Sequence, residues 1–309
     1  MLWYVLSLIG AIADAGYYIS VKKYLQTTDP FTLAAGGYSC TGIILLSISW
    51  LRGFPPIGHA FFGALIASSV LGTFAILLSF AALRNTDISL AVPMISFTPL
   101  FLVITSFVLL GEVPSLMGIA GIIIIVTGSY VLNLSSSHTR LADPFRSVVK
   151  NRGMLYMLIV SFLYAVAINF DKMIVINSDP VFGSAITCLI LGISFSVMSQ
   201  CAMVRDLVVP VMTPVPESSN GHLRVSASVP LKNSIVQWTV IGILLSVSAV
   251  CINTAYTVQI VSYVIAIKRM SIIIIVLYGA FVFGEKDMVR RLFGALLMVA
   301  GAVMIVLFN

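Results

Sequence analysis

The sequence predicts an all-α integral membrane protein, with ten transmembrane helices arranged as two inverted five-helix repeats. Three observations carry that prediction. The chain is 60% hydrophobic and only 9% charged, with a mean hydropathy of +1.10, whereas roughly a quarter of a soluble chain is charged. The charges are clumped, and the apolar runs between clumps are about 20 residues long, enough to cross a ~30 Å hydrocarbon core as a helix. A glycine-rich pattern in the first half also recurs in the second.

Helices are expected near 2–24, 31–51, 60–83, 88–110 and 114–134. A polar linker at 135–152, "SSSHTRLADPFRSVVKNR", precedes a second set near 153–176, 181–204, 234–256, 258–283 and 288–308. The first span begins at once with "LWYVLSLIGAIADAGYYIS" and has no basic n-region, so no cleavable signal peptide is expected. Asp29-Pro30, Pro55-Pro56, Pro114 and Asp179-Pro180 punctuate helix ends. Pro93 and Pro99 interrupt the fourth span, and the loop near 205–233 is rich in Pro, Ser and Asn. Cys40, Cys188, Cys201 and Cys251 fall in apolar segments without CxxC pairing, as buried thiols would.

The repeat divides the chain into 1–134 and 153–309. "FVLLGEVPSLMGIAGIIIIVTGSYVL" at 107–132 matches "FVFGEKDMVRRLFGALLMVAGAVMIVL" at 281–307. At one constant offset, Gly111, Glu112, Gly121 and Gly128 fall on Gly284, Glu285, Gly294 and Gly301. The halves also begin alike, since "VKKYLQTTDP" at 21–30 aligns with "DKMIVINSDP" at 171–180. Five helices per half is an odd number, so the halves cross the membrane in opposite senses. Inverted repeats of this kind are associated with transporters whose site lies between the halves near the midplane.

The closing Gly-Glu of the fourth span, the glycines of the fifth and the duplication together resemble the EamA-type family of the drug/metabolite transporter superfamily. The resemblance covers essentially the whole chain. It implies a solute carrier whose helices 1–4 and 6–9 surround a central cavity, with helices 5 and 10 peripheral, and it leaves the substrate open.

The candidate site starts from Lys268 and Arg269, adjacent in the middle of the ninth span. A mid-bilayer cation costs about 2.5–3.5 kcal/mol on insertion scales, and the two side chains point about 100° apart on a helix. Roughly ten residues (~15 Å) separate them from either helix end, too far to snorkel. Ser271 and Ser262 extend the polar face, and Asp14, with Tyr17 and Tyr18 at i+3 and i+4, is the obvious counter-charge. One carboxylate cannot neutralise two cations. The pair is therefore read as the anion-binding half of a site, suited to a carboxylate or a phosphate. The alternative is a purely structural charge cluster that locks helices together.

The resemblance sharpens this reading, because sugar-phosphate translocators of the superfamily look similar in holding phosphate with a Lys-Arg pair on the ninth helix. They also carry a lysine on the fourth helix, where the repeat places Ile95 and Ser96 here. A carboxylate is therefore at least as well suited as a phosphate ester.

Asp171 and Lys172 are read either as a gate or as a structural pair near the interface. Glu112 and Glu285 each follow a Gly that can end a helix and are expected to cap the tight inter-helix turn. Gly121/Gly128 and Gly294/Gly301, seven apart, are expected to permit close helix packing.

No metal, catalytic residue or cofactor is expected: the histidines lie in loops, and no HExxH or paired catalytic carboxylates occur. Coupling to H+ or a counter-substrate stays open, with Asp14 as a candidate proton carrier. The expected function is secondary-active transport, at the cell membrane, of a small anionic or zwitterionic metabolite: a carboxylate, an amino acid or a phosphorylated compound. The expected partners are membrane lipids and that solute, without nucleic acid, and a homodimer stays open. A lipid flippase and a non-transporting receptor or scaffold are the competing readings. For orientation, thirteen Lys/Arg lie in loops 1–2, 3–4, 5–6, 7–8 and 9–10 against two on the other side. The positive-inside rule then places both termini outside the cytoplasm, although the resemblance implies the reverse.

Overall fold

A computed structural model describes residues 2–86, 92–132, 151–201, 231–283 and 288–308. Among these the chain is helical, without strands. The elements are α1 (Leu2–Tyr24), α2 (Pro30–Arg52), α3 (Phe61–Asn85), a 3₁₀ helix (Val92–Phe97), α4 (Thr98–Leu110), α5 (Leu116–Leu132), α6 (Arg152–Ile176), α7 (Pro180–Gln200), α8 (Leu231–Tyr256), α9 (Val261–Lys268), α10 (Ser271–Phe283) and α11 (Met288–Leu307). Seven stretches are long and apolar enough to span a membrane, and 94–110, 116–131 and 292–307 are shorter apolar helices among the described residues. Large apolar side chains such as Leu51, Val108, Leu116 and Leu296 cover the outer faces. So much apolar surface suits lipid and not water. The chain is a multi-pass integral membrane protein.

The predicted punctuation starts helices as expected. Asp29 Oδ2 accepts from the Thr32 N–H at the head of α2, and Asp179 Oδ1 accepts from the N–H groups of Val181 and Phe182 at the head of α7. Each is followed by a proline, whose missing N–H costs nothing in a first turn. Asn151 caps α6 in the same way. Gly111 ends α4 at φ 69°, a left-handed position that favours glycine.

Two spans are not continuous helices, the fourth in keeping with its Pro93 and Pro99 and the ninth against expectation. The fourth runs as a 3₁₀ helix and then as α4 from Thr98, with Pro99 in its first turn. The predicted beginning, at 88–91, lies outside the described residues. The ninth is broken between Lys268 and Ser271, although the sequence predicted one helix over 258–283. Across the break, Met270 N–H donates to Ile267 O and Ile272 N–H to Arg269 O, i to i+3 spacings that tighten the helix. Under the repeat alignment these breaks coincide, since Thr98 opens α4 where Ser271 opens α10.

The heaviest packing joins α2 to α7, α5 to α11, α3 to α6 and α1 to α8. The α5–α11 contact is glycine on glycine. A Cβ at Gly121 would stand 2.8 Å from the Gly301 carbonyl oxygen, one at Gly301 would stand 2.6 Å from that of Gly121, and one at Gly128 would stand 2.8 Å from that of Gly294. No side chain fits there, so these glycines set the helix separation. Gly284 and Glu285 lie outside the described residues.

Candidate functional site

α1, α2, α6, α7, α8 and α9 enclose a cavity of about 210 Å³. Its charged lining comes from Asp14, Asp171, Lys268 and Arg269. α1 brings Asp14, Tyr17 and Tyr18 to one face, where the two tyrosine rings meet edge to face at 5.3 Å. The Tyr17 hydroxyl lies 3.4 Å from that of Tyr38 on α2.

Lys268 and Arg269, at the break in the ninth span, have different surroundings. Lys268 Nζ sits 2.9 Å from Asp14 Oδ1, and Ser271 Oγ donates to Asp14 Oδ2 at 3.4 Å. Both oxygens of that carboxylate are thus engaged. Arg269 is only 4% exposed, has no ion pair among the described residues, and its Nε finds no hydrogen-bond partner. The sequence treated the two cations as one anion-binding pair. Of the two, Lys268 is ion-paired with Asp14, and Arg269 lines the cavity without an ion pair among the described residues. Ser262, expected on the same polar face, is fully buried with an unpartnered hydroxyl.

Asp171 and Lys172 do not act as a pair. Asp171 lines the cavity and accepts from Ser68 Oγ. Lys172, about 100° round the helix, points away: its Nζ lies 2.6 Å from Glu112 Oε1 and donates to the Gln259 carbonyl at 2.7 Å. Glu112 Oε2 in turn accepts from the Val261 N–H at 2.9 Å. Glu112 therefore caps α9, a helix far away in sequence, and not its own inter-helix turn. This corrects the expectation for Glu112, and it removes Lys172 from the cavity. At the opposite end of α6, Lys22 donates to the carbonyls of Leu83 and Thr86, while Thr86 donates to the Asn151 side chain.

Several lining residues were not picked out from the sequence: Tyr38, Tyr164, Tyr256, Ser184, Thr187 and Asn253. Helical spacing held a signal for some of them. Tyr164, Ile168, Asp171 and Val175 follow i, i+4, i+7, i+11, and Leu245, Ser248, Ala249, Ile252, Asn253 and Tyr256 trace one face of α8. All four cysteines are free thiols, but only Cys188 is buried as expected, while Cys40, Cys201 and Cys251 are partly exposed.

A ring of apolar helices around a charged, tyrosine-rich cavity defines a polytopic membrane protein with a solute-sized internal site. Residues 1–134 match the model of the EamA-like transporter family. Among solved structures 28 chains match. One of them, described only as "Crystal structure of protein", aligns with a TM-score of 0.70 over 99% of this chain and 99% of that chain at 16% identity, which is a likeness of fold. No curated protein matches.

Proposed function

We propose that the chain is a secondary-active transporter of the cell membrane that carries a small anionic or zwitterionic metabolite by alternating access between two inverted repeats. The family match supports membrane transport. One observation carries the charge preference: Arg269 is a buried guanidinium on a cavity wall with no counter-ion among the described residues. Burying an unpaired cation is costly unless something arrives to pair with it. A planar guanidinium offers a carboxylate two parallel hydrogen bonds.

The packing supports the repeat. α2–α7 and α5–α11 each pair a span with its expected counterpart, and α3–α6 and α1–α8 are two copies of one contact. Lys22 bonds the Thr86 carbonyl as Lys172 bonds that of Gln259, and both members correspond under the alignment. The cavity breaks this symmetry. Its lining includes Val175 and Gly183 near the α6–α7 turn, whereas the counterpart positions Leu25 and Leu33 are not part of it. A cavity that extends toward one end only is what one state of an alternating-access carrier requires.

Thermal stabilisation of the purified protein by organic acids, amino acids and sugar phosphates tests the reading. The stabilising compound should lose its effect in Arg269→Ala and keep part of it in Arg269→Lys. A compound that is transported and binds Arg269→Ala as well as the wild type would refute it.

A further inference from the structure

We infer that the seam between α2 and α8 is a dedicated gate at the loop 1–2 end of the cavity, and that its closure, as seen here, is the resting state of the carrier. This rests on the transport reading above and adds to it which end must be forced open.

The seam lies directly beside the cavity. Tyr38 lines the cavity, and Gly36 and Gly37, just before it on α2, face α8. A Cβ at Gly37 would stand 2.6 Å from Ile241 Cγ2, and one at Gly36 would run into the Trp238 indole. Two large apolar side chains thus occupy seats that only glycine leaves open, and the helices come close together. Nearer the loop, Thr28 Oγ1 donates to Gln237 Oε1 at 2.7 Å, and both side chains are buried. Opening the seam would bring the buried Ile241 and the indole toward water, so closure is favoured. The Thr28–Gln237 bond fixes the register in which the two helices meet.

The repeat gives the opposite end no such seam. Under the register that places Asp29 on Asp179, Gly36 and Gly37 correspond to Ile186 and Thr187 of α7. Under the one that places Gly111 on Gly284, Gln237, Trp238 and Ile241 correspond to Ala64, Leu65 and Ser68 of α3. Side chains therefore stand on both faces there, and Ala64 offers no acceptor to Ser178, the counterpart of Thr28. α8 accordingly packs closely along α2, while α3 meets α7 more lightly. The neighbouring positions show the same inequality. Val21, Leu25, Leu33 and Ala34 are buried and apolar, whereas their counterparts Asp171, Val175, Gly183 and Ser184 all line the cavity. One end is a dry plug and the other a polar path. Halves of equal chemistry would populate both states alike, and these halves are unequal.

Labelling of the purified protein with a water-soluble maleimide tests this. Single reporters, Ala34→Cys at the plug and Thr187→Cys on the polar path, are placed in a background lacking the native four cysteines. Position 187 should react at least about tenfold faster than 34, since a minor state holds about 10% of the molecules or fewer. Gly37→Thr, which gives α2 the residue of its counterpart, should speed labelling at 34 at least about tenfold. It should also slow labelling at 187 at least about twofold, because an alternating-access carrier does not open both ends at once. If Gly37→Thr prevents folding, the paired change Gln237→Ala with Trp238→Leu should do the same. Faster labelling at 34 without slower labelling at 187 would mean that a static seam has merely loosened, and the inference would fall. Equal rates at 34 and 187 before any gate change, or no response at 34 in the folded variants, would overturn it as well. The transport reading fails separately, through the Arg269 variants above, which do not touch this seam.

Discussion

Asp14 and Lys268 lie some 250 residues apart in the chain, yet the sequence identified them as partners because each is a charge that hydrocarbon cannot solvate. What it could not resolve was which of two adjacent cations the carboxylate would choose. Helical spacing places Lys268 and Arg269 on different faces, and only the packing of α1 against α9 and α10 assigns those faces. The pair is mostly buried, so removing one member leaves the other uncompensated, at about 3–5 kcal/mol. Asp14→Asn and Lys268→Met should each lower the melting temperature, and the double variant should recover much of the loss. In a double-mutant cycle the coupling should reach about 0.5–3 kcal/mol. Strict additivity would mean that the two charges do not stabilise one another.

Element starts were legible where the chain carries chemistry for them. Asp29-Pro30 and Asp179-Pro180 open α2 and α7 through side-chain caps. The break between α9 and α10 was not, because no Pro or Gly marks "IAIKRMSII" and nothing local argues against a continuous helix. That break coincides with the Lys268–Asp14 ion pair, a contact made in the fold and not marked in the local sequence. α9 also needs a cap for its first N–H groups, and Glu112 supplies it from the end of α4. Glu112→Ala removes that cap and strands Lys172, whereas Glu112→Gln keeps an acceptor and loses only the charge. Melting temperatures should therefore fall in the order wild type, Gln, Ala. An Ala variant as stable as the wild type would show that the Glu112 contacts do not stabilise the start of α9.

The glycine spacing in the fifth and tenth spans revealed a packing face but not its partner, which is the other glycine face. Gly121→Val would drive a side chain into the Gly301 backbone, a strain of about 1–3 kcal/mol. Among the described residues, α5 and α11 contribute nothing to the cavity wall. The variant should therefore melt earlier while binding its solute with unchanged affinity, and a matching loss of affinity would place this contact in the transport machinery.

At the scale of the whole molecule, the proposed inverted repeat would work in either orientation, because its halves would exchange roles. The fold therefore does not say which side faces the cytoplasm. Charge does. Thirteen Lys/Arg on the side of loops 1–2, 3–4, 5–6, 7–8 and 9–10, against Arg52 and Lys172 on the other, is a strong bias under the positive-inside rule. Lys172 weighs less than a free loop lysine, since it is bound to Glu112. We therefore predict both termini outside the cytoplasm. The cavity reaches toward the α6–α7 turn, on the side of the termini, so this conformation should be the outward-facing one. Single cysteines at Ser136 in the linker and at Phe308, in a background lacking the native thiols, can be probed in intact cells with an impermeant maleimide. Labelling is expected at 308 and not at 136. Labelling at 136 alone would reverse the orientation and make the same cavity inward-facing.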